Sequence, residues 1–139
     1  MNIVLDTNVL LVAIAKKSVY RPIFDAFLNE TFVLCVTTDI LAEYEEIIGE
    51  HLGEKLASNL LQLIENAPNV RFITKYFKWN LITADPDDNK FVDCAIAANA
   101  KFLVSNDKHF NILKEIYFPR IELLKADEFK ANCKFKVLM

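Results

Sequence analysis

The chain has 139 residues, of which 53% are hydrophobic and 25% charged. That is the length of one domain and enough apolar surface for one core, which excludes a disordered chain. The net charge of −3 weighs mildly against a nucleic-acid partner. Carboxylates gathered around a metal ion would, however, raise the acidic count without making the whole surface acidic, and Lys16, Lys17, Arg21, Lys90, Lys101 and Lys108 can still form a local basic rim.

Ile3-Val4-Leu5 is a short apolar run that stops at Asp6 and reads as a buried strand. Helices are expected over residues 9–15 and 21–29, the second on the stripe Ile23, Phe24, Phe27 and Leu28. A second buried strand covers residues 32–36, and Thr37-Thr38-Asp39 then offers N-cap oxygens for a helix over 39–51. Gly53 marks a turn into a helix over 54–65, with a short strand expected at 70–73. Residues 75–85 are polar and aromatic without a period and read as loop. Pro86 suits the first turn of a helix running to residue 99. Phe102-Leu103-Val104 is a further strand ending at Ser105-Asn106-Asp107. A short helix over 110–116, a strand at 121–123 and a single helical turn at 126–129 follow, and residues 130–139 carry no pattern that places them. Strands alternating with helices give one α/β domain over residues 1–139, layered α/β/α around a mainly parallel sheet.

Cys35, Cys94 and Cys133 are odd in number, far apart and never in a CxxC pair, so reduced buried thiols are expected. Acid as early as Asp6 does not suit a cleavable leader. No apolar run approaches the ~20 residues of a membrane span, so a cytoplasmic protein without a membrane partner is expected. The 11 Phe residues serve as core fillers or oligomer contacts.

The chemistry concentrates in acids. Asp6 and Asp107 each follow an apolar strand, and the carboxyl ends of strands in a parallel sheet line the ligand crevice. The two meet if their strands are neighbours. Asp93 lies within Phe91-Val92-Asp93-Cys94-Ala95-Ile96-Ala97-Ala98, where an acid either reaches water or is stabilised by a cation. Asn89 lies one turn back on the same face, placed to hydrogen-bond an acid or a metal-bound water. Glu43 lies on the flank of its helix's apolar stripe, while Glu45 and Glu46 point to solvent. Taken singly, each acid has an ordinary reading as a turn, cap or surface residue, and Asp85, Asp87 and Asp88 suit a helix start. Hard divalent cations prefer carboxylate oxygens, so the combination points to one or two such ions. His51 and His109 read as incidental, with His109 close enough to Asp107 to border the cleft.

In this combination the chain resembles PIN-domain proteins. Val4-Leu5-Asp6-Thr7-Asn8-Val9-Leu10 resembles their opening motif, Ile40-Leu41-Ala42-Glu43-Tyr44 the second, Asp93-Cys94-Ala95-Ile96-Ala97-Ala98 the third and Ser105-Asn106-Asp107 the fourth. Asp85-Pro86-Asp87-Asp88-Asn89-Lys90-Phe91 resembles the branch of toxins from toxin–antitoxin systems. The resemblance implies a PIN-like α/β/α fold and Mg²⁺- or Mn²⁺-dependent ribonuclease activity. It implies that Asp6, Glu43, Asp93 and Asp107 surround the metal, with Thr7, Asn8 and Ser105 touching those acids or the substrate. Asp88, at the start of the helix, also reaches the metal if it precedes that helix, which leaves the third ligand open between Asp88 and Asp93. Implied partners are an RNA substrate, a small antitoxin protein and a second copy in a homodimer. The alternative is a non-catalytic RNA-binding or scaffold module of the same fold. A haloacid-dehalogenase-type phosphatase expects a second Asp where Asn8 stands, and a response-receiver domain expects an acidic pair and a late Lys that the pattern does not supply.

Overall fold

Successive residues of a strand point to opposite faces of its sheet. In this chain Ile3, Val4 and Leu5 are all buried, as are Leu34, Cys35 and Val36, and Leu103 and Val104. Both faces of the sheet are therefore covered, which is the three-layer arrangement expected of parallel strands joined by helices. The computed structural model describes residues 1–75 and 77–138, with side chains through Cys133. Tyr76, within the expected loop, and Met139, at the end of the unplaced tail, lie outside the described residues.

The elements in chain order are β1 (Asn2–Leu5), α1 (Thr7–Ile14), α2 (Arg21–Leu28), β2 (Val33–Val36), α3 (Thr38–Leu52), α4 (Glu54–Asn66) and β3 (Val70–Phe72). After a loop come a 3-10 turn (Pro86–Asp88), α5 (Asn89–Ala97), β4 (Phe102–Val104), a 3-10 helix (Lys108–Glu115), β5 (Leu123–Leu124) and α6 (Ala126–Leu138). The five strands are ordered β3-β2-β1-β4-β5 and pair in parallel throughout. The chain moves outward from β1 to β2 and β3, then crosses back to β4 on the other side of β1. Strand order thus reverses between β1 and β4, and a crevice opens at the carboxyl ends of strands at such a reversal. Leu5 pairs with Val104 in register, so Asp6 and Ser105 emerge side by side.

Local chemistry sets the boundaries. Thr37 caps α3, its hydroxyl accepting from the Ile40 N–H, as the Thr-Thr-Asp run predicts. Gly53 has φ of +96° between α3 and α4, a conformation that a side chain disfavours. The helix expected from Pro86 to Asn99 is divided: a 3-10 turn holds Pro86–Asp88, and α5 stops at Ala97. Asn99 follows in the left-handed region at φ 50°, a conformation Asn tolerates at a helix end.

The largest departure from expectation is the carboxy-terminal segment. The single turn at 126–129 continues as α6 to Leu138. Phe129 and Cys133, four residues apart and hence on one face, are both fully buried. The Phe129 ring meets Phe32 edge-on at 5.2 Å between centroids. Lys130 and Asn132, between these two contacts, interrupt the apolar stripe and hide it from a reading of periodicity.

Candidate active site

Asp6 closes β1, with its N–H bonded to the Val104 carbonyl of β4 at 3.0 Å. The residue is 6% exposed, and its carboxylate accepts a hydrogen bond from the Ser105 hydroxyl at 2.7 Å. The Ser105 oxygen in turn accepts from the Asp107 N–H at 3.0 Å. One serine thus ties the acid ending β1 to the acid following β4. Burial raises the Asp6 pKa from 3.8 to about 6; the Ser105 bond opposes the shift, while Glu43 and Asp107 add to it.

A third carboxylate reaches the same place from the start of α5. Burial raises the Asp88 pKa to about 7, reinforced by Asp85, Asp107 and Asp6, with His109 pulling the other way. Asp88 Oδ2 is buried and has no hydrogen-bond partner, and neither has the His109 Nδ1 that it faces at 3.6 Å. His109 Nδ1 also stands 3.4 Å from Asp107 Oδ1. Ligand atoms of Asp85, Asp88 and His109 lie within 4.8 Å of one another. Buried polar atoms are seldom left unmade, because each costs about 1–3 kcal/mol. Repelling carboxylates with an orphaned buried oxygen are the donor set that a hard divalent cation satisfies. The residues present therefore fit such an ion.

Glu43 stands on α3 at the edge of this group. Thr7, in the first turn of α1, donates to Glu43 Oε2, and Lys90 Nζ donates to Oε1 at 2.7 Å while also pairing with Asp87 at 3.0 Å. Both Glu43 oxygens are thus engaged by side chains of this chain. Next to it Tyr44 is fully buried and donates its hydroxyl to the Leu5 carbonyl at 2.6 Å, which fixes α3 against the end of β1. Tyr44→Phe leaves that buried carbonyl without this bond and is expected to cost about 1–2 kcal/mol of stability. Urea unfolding measures it; an unchanged midpoint would mean that α3 is held by packing alone.

The sequence model of the PIN domain family matches residues 2–109. This chain belongs to the PIN domain family. It is similar in fold to a chain of the crystal structure of VapBC2 from Rickettsia felis bound to a DNA fragment from their promoter, with TM-score 0.62, 20% identity, and 90% of this chain and 98% of that one covered. It is also similar to the structure of the PIN domain endonuclease Utp24, with TM-score 0.50, 17% identity, and 89% and 84% covered. No curated protein matches it by sequence. Among the described residues of this PIN domain no helix is long and apolar enough to cross a membrane.

Of the residues singled out from sequence, this PIN domain brings Asp6, Glu43, Asp88, Asp107, Thr7 and Ser105 to one cleft. Asp93 is not brought into it. Five residues of α-helix turn the side chain by about 140°, so Asp88 and Asp93 cannot aim at one point. Asp93 is buried instead beside the loop before α5, where its Oδ1 accepts from the Trp79 N–H at 3.1 Å. Asn89, on the same face, also holds that loop: its Oδ1 accepts from Ile82 N–H and its Nδ2 donates to Ile82 O, both at 2.9 Å. Both residues anchor backbone, which explains buried polar groups in an apolar helix without a metal. Asn8 is exposed on α1. Sequence reasoning gave Asp85 only as a cap and His109 only as a border. Their signal was spacing: Asp85 precedes Asp88 by one helical turn, and His109 follows Asp107 by two residues. Of the expected basic rim, Lys90 is in the cleft, whereas Lys101 binds Asn2 through its backbone at the opposite end of β1.

Proposed function

We propose that this PIN domain is a metal-dependent ribonuclease in which Asp6, Asp88 and Asp107 hold Mg²⁺ or Mn²⁺. The observation that carries the reading is the buried, unpartnered Asp88 Oδ2, facing His109 within a group of carboxylates drawn from separate segments. A cation held there supplies charge stabilisation for phosphodiester cleavage and activates water. Ser105 holds the Asp6 carboxylate and the Asp107 backbone in fixed relation. Glu43, held by Thr7 and Lys90, stands at the rim. Asp85 and His109 flank Asp88 and complete the polar wall.

The resemblance of residues 85–91 to the toxin branch supports a role as the toxin of a toxin–antitoxin pair, with a small antitoxin protein as partner. Arrest of growth on expression of the chain, absent in Asp88→Asn, tests that role. The chemistry is tested by incubating purified protein with RNA in Mg²⁺ or Mn²⁺ and in EDTA. Cleavage with metal and none in EDTA is expected. Cleavage that survives EDTA removes the metal from the reaction, and no cleavage with either metal favours the non-catalytic module.

A further inference from the structure

His109 brings a ring nitrogen among the carboxylates of the cleft. It stands in the first turn of the 3-10 helix after β4, where its backbone N–H donates to Asp107 Oδ1 at 2.9 Å. Its ring Nδ1 lies 3.4 Å from Asp107 Oδ1 and 3.6 Å from Asp88 Oδ2. With Asp85 and Asp88 it forms a group whose ligand atoms lie within 4.8 Å of one another. Nδ1 and Asp88 Oδ2 are both buried, and neither has a hydrogen-bond partner. A protonated Nδ1 between two carboxylates donates to one of them, at about 2.7–2.9 Å, and no such bond is formed. An unprotonated Nδ1 turns its lone pair on their oxygens, which is costly in a buried place unless a cation stands between the atoms. The separations suit that cation. Two ligand atoms each about 2.1 Å from one ion stand roughly 3.0 Å apart at a right angle and roughly 4.2 Å apart across it.

We propose that His109 Nδ1 is a ligand of the ion held by Asp88 and Asp107, and that this nitrogen makes the cleft prefer Mn²⁺ to Mg²⁺. Imidazole suits first-row transition ions, whereas Mg²⁺ keeps to carboxylate and water oxygens and gives up its waters reluctantly. A carboxylate in place of the ring would serve either ion. Ligation through Nδ1 places the ring proton on Nε2. The inference deepens the metal-dependent reading by choosing between its two ions, and it rests on that reading for the presence of an ion. His51, the other histidine of the chain, stands on α3 with its Nδ1 2.9 Å from the Ile47 carbonyl. Histidine nitrogen on a bound ion thus has one other source to separate.

The test needs no RNA. Full-length protein freed of metal is titrated with MnCl₂, free Mn²⁺ being read by electron paramagnetic resonance, and MgCl₂ is then added as competitor. Mn²⁺ is expected to bind more tightly than Mg²⁺. Pulsed resonance on the Mn²⁺ form should show coupling to imidazole nitrogen, kept in His51→Gln and lost in His109→Ala. That alanine variant should weaken Mn²⁺ binding about 10-fold or more, at least what losing a group behind a ligand costs, and change Mg²⁺ binding far less. His109→Asn, which offers an amide oxygen, should bind both ions and lose the preference, with circular dichroism confirming the fold of each variant. Mn²⁺ bound by wild-type protein without nitrogen coupling would overturn the proposal. So would equal losses for both ions in His109→Ala, and so would tighter binding of both, since the ring would then be a cation that competes with the metal. Any of these in protein that cleaves RNA with metal and not in EDTA leaves the ribonuclease reading standing. Nitrogen-coupled Mn²⁺ in protein that cleaves no RNA would sink that reading and leave His109 as a ligand.

Discussion

Asp6→Asn and Asp88→Asn are each expected to slow RNA cleavage by roughly 100-fold or more, which is about 2.7 kcal/mol of transition-state stabilisation. Asp93→Asn is expected to slow it only a few fold, on the order of 1 kcal/mol or less. The difference follows from where the side chains point. Asp6 is buried and held by Ser105, so its oxygens are fixed where two strands end. Asp88 presents a buried oxygen with no partner. Amide replacement at either position removes a negative ligand without removing volume. Asp93 bonds the Trp79 backbone instead, and an Asn carbonyl can still accept there. Initial rates on one RNA at saturating Mn²⁺, with the three variants side by side, decide the matter. A large loss in Asp93→Asn and a small one in Asp88→Asn would return the third ligand to Asp93. Full activity in Asp6→Asn would end metal-dependent chemistry at this cleft.

The contrast between Asp88 and Asp93 also shows what the sequence made legible. An apolar run that stops at an acid reveals a strand and the end that bears the acid, which is why Asp6 and Asp107 stood out. That their strands are neighbours is a property of the crossover after β3, and no residue type announces it. Within residues 85–93 the chain offers several acids over two helical turns, and their phase depends on where the 3-10 turn of Pro86–Asp88 gives way to α5. An error of one residue there rotates the helix by about 100° and exchanges one acid for another. Loop 73–85 has no period, so the aromatic group that its Phe77 and Trp79 form with Phe118 depends on contacts more than 30 residues apart. The helix after Ala126 was hidden for a different reason: its buried contacts, Phe129 and Cys133, are separated by Lys130, Ala131 and Asn132, which break the apolar run.

Divalent cation is expected to stabilise the fold at neutral pH and to have little effect near pH 5. Burial raises the Asp6 pKa to about 6, and burial with neighbouring acids raises that of Asp88 to about 7. A carboxyl whose pKa is higher folded than unfolded binds more protons in the native state. Its stabilising contribution is full below the unfolded value, near 3.8, and disappears as pH rises through the folded one. In EDTA, stability should therefore fall between pH 5 and pH 8. One pKa unit is worth about 1.36 kcal/mol. Asp6 alone contributes ~1.4 kcal/mol across that window, and Asp88, partly open to solvent and so partly screened, adds a discounted share. A total fall of about 2–3 kcal/mol is expected, belonging to the interacting cluster rather than to either acid. A cation bound by the ionised carboxylates reverses the fall, because it binds the folded state alone. Urea unfolding from pH 5 to pH 8, with and without Mn²⁺, measures both effects, and Asp88→Asn should flatten the metal-free profile. Stability in EDTA that is level or rising across this range would mean that the carboxylates are relieved by water or by His109, and that the cleft does not need a cation to be stable.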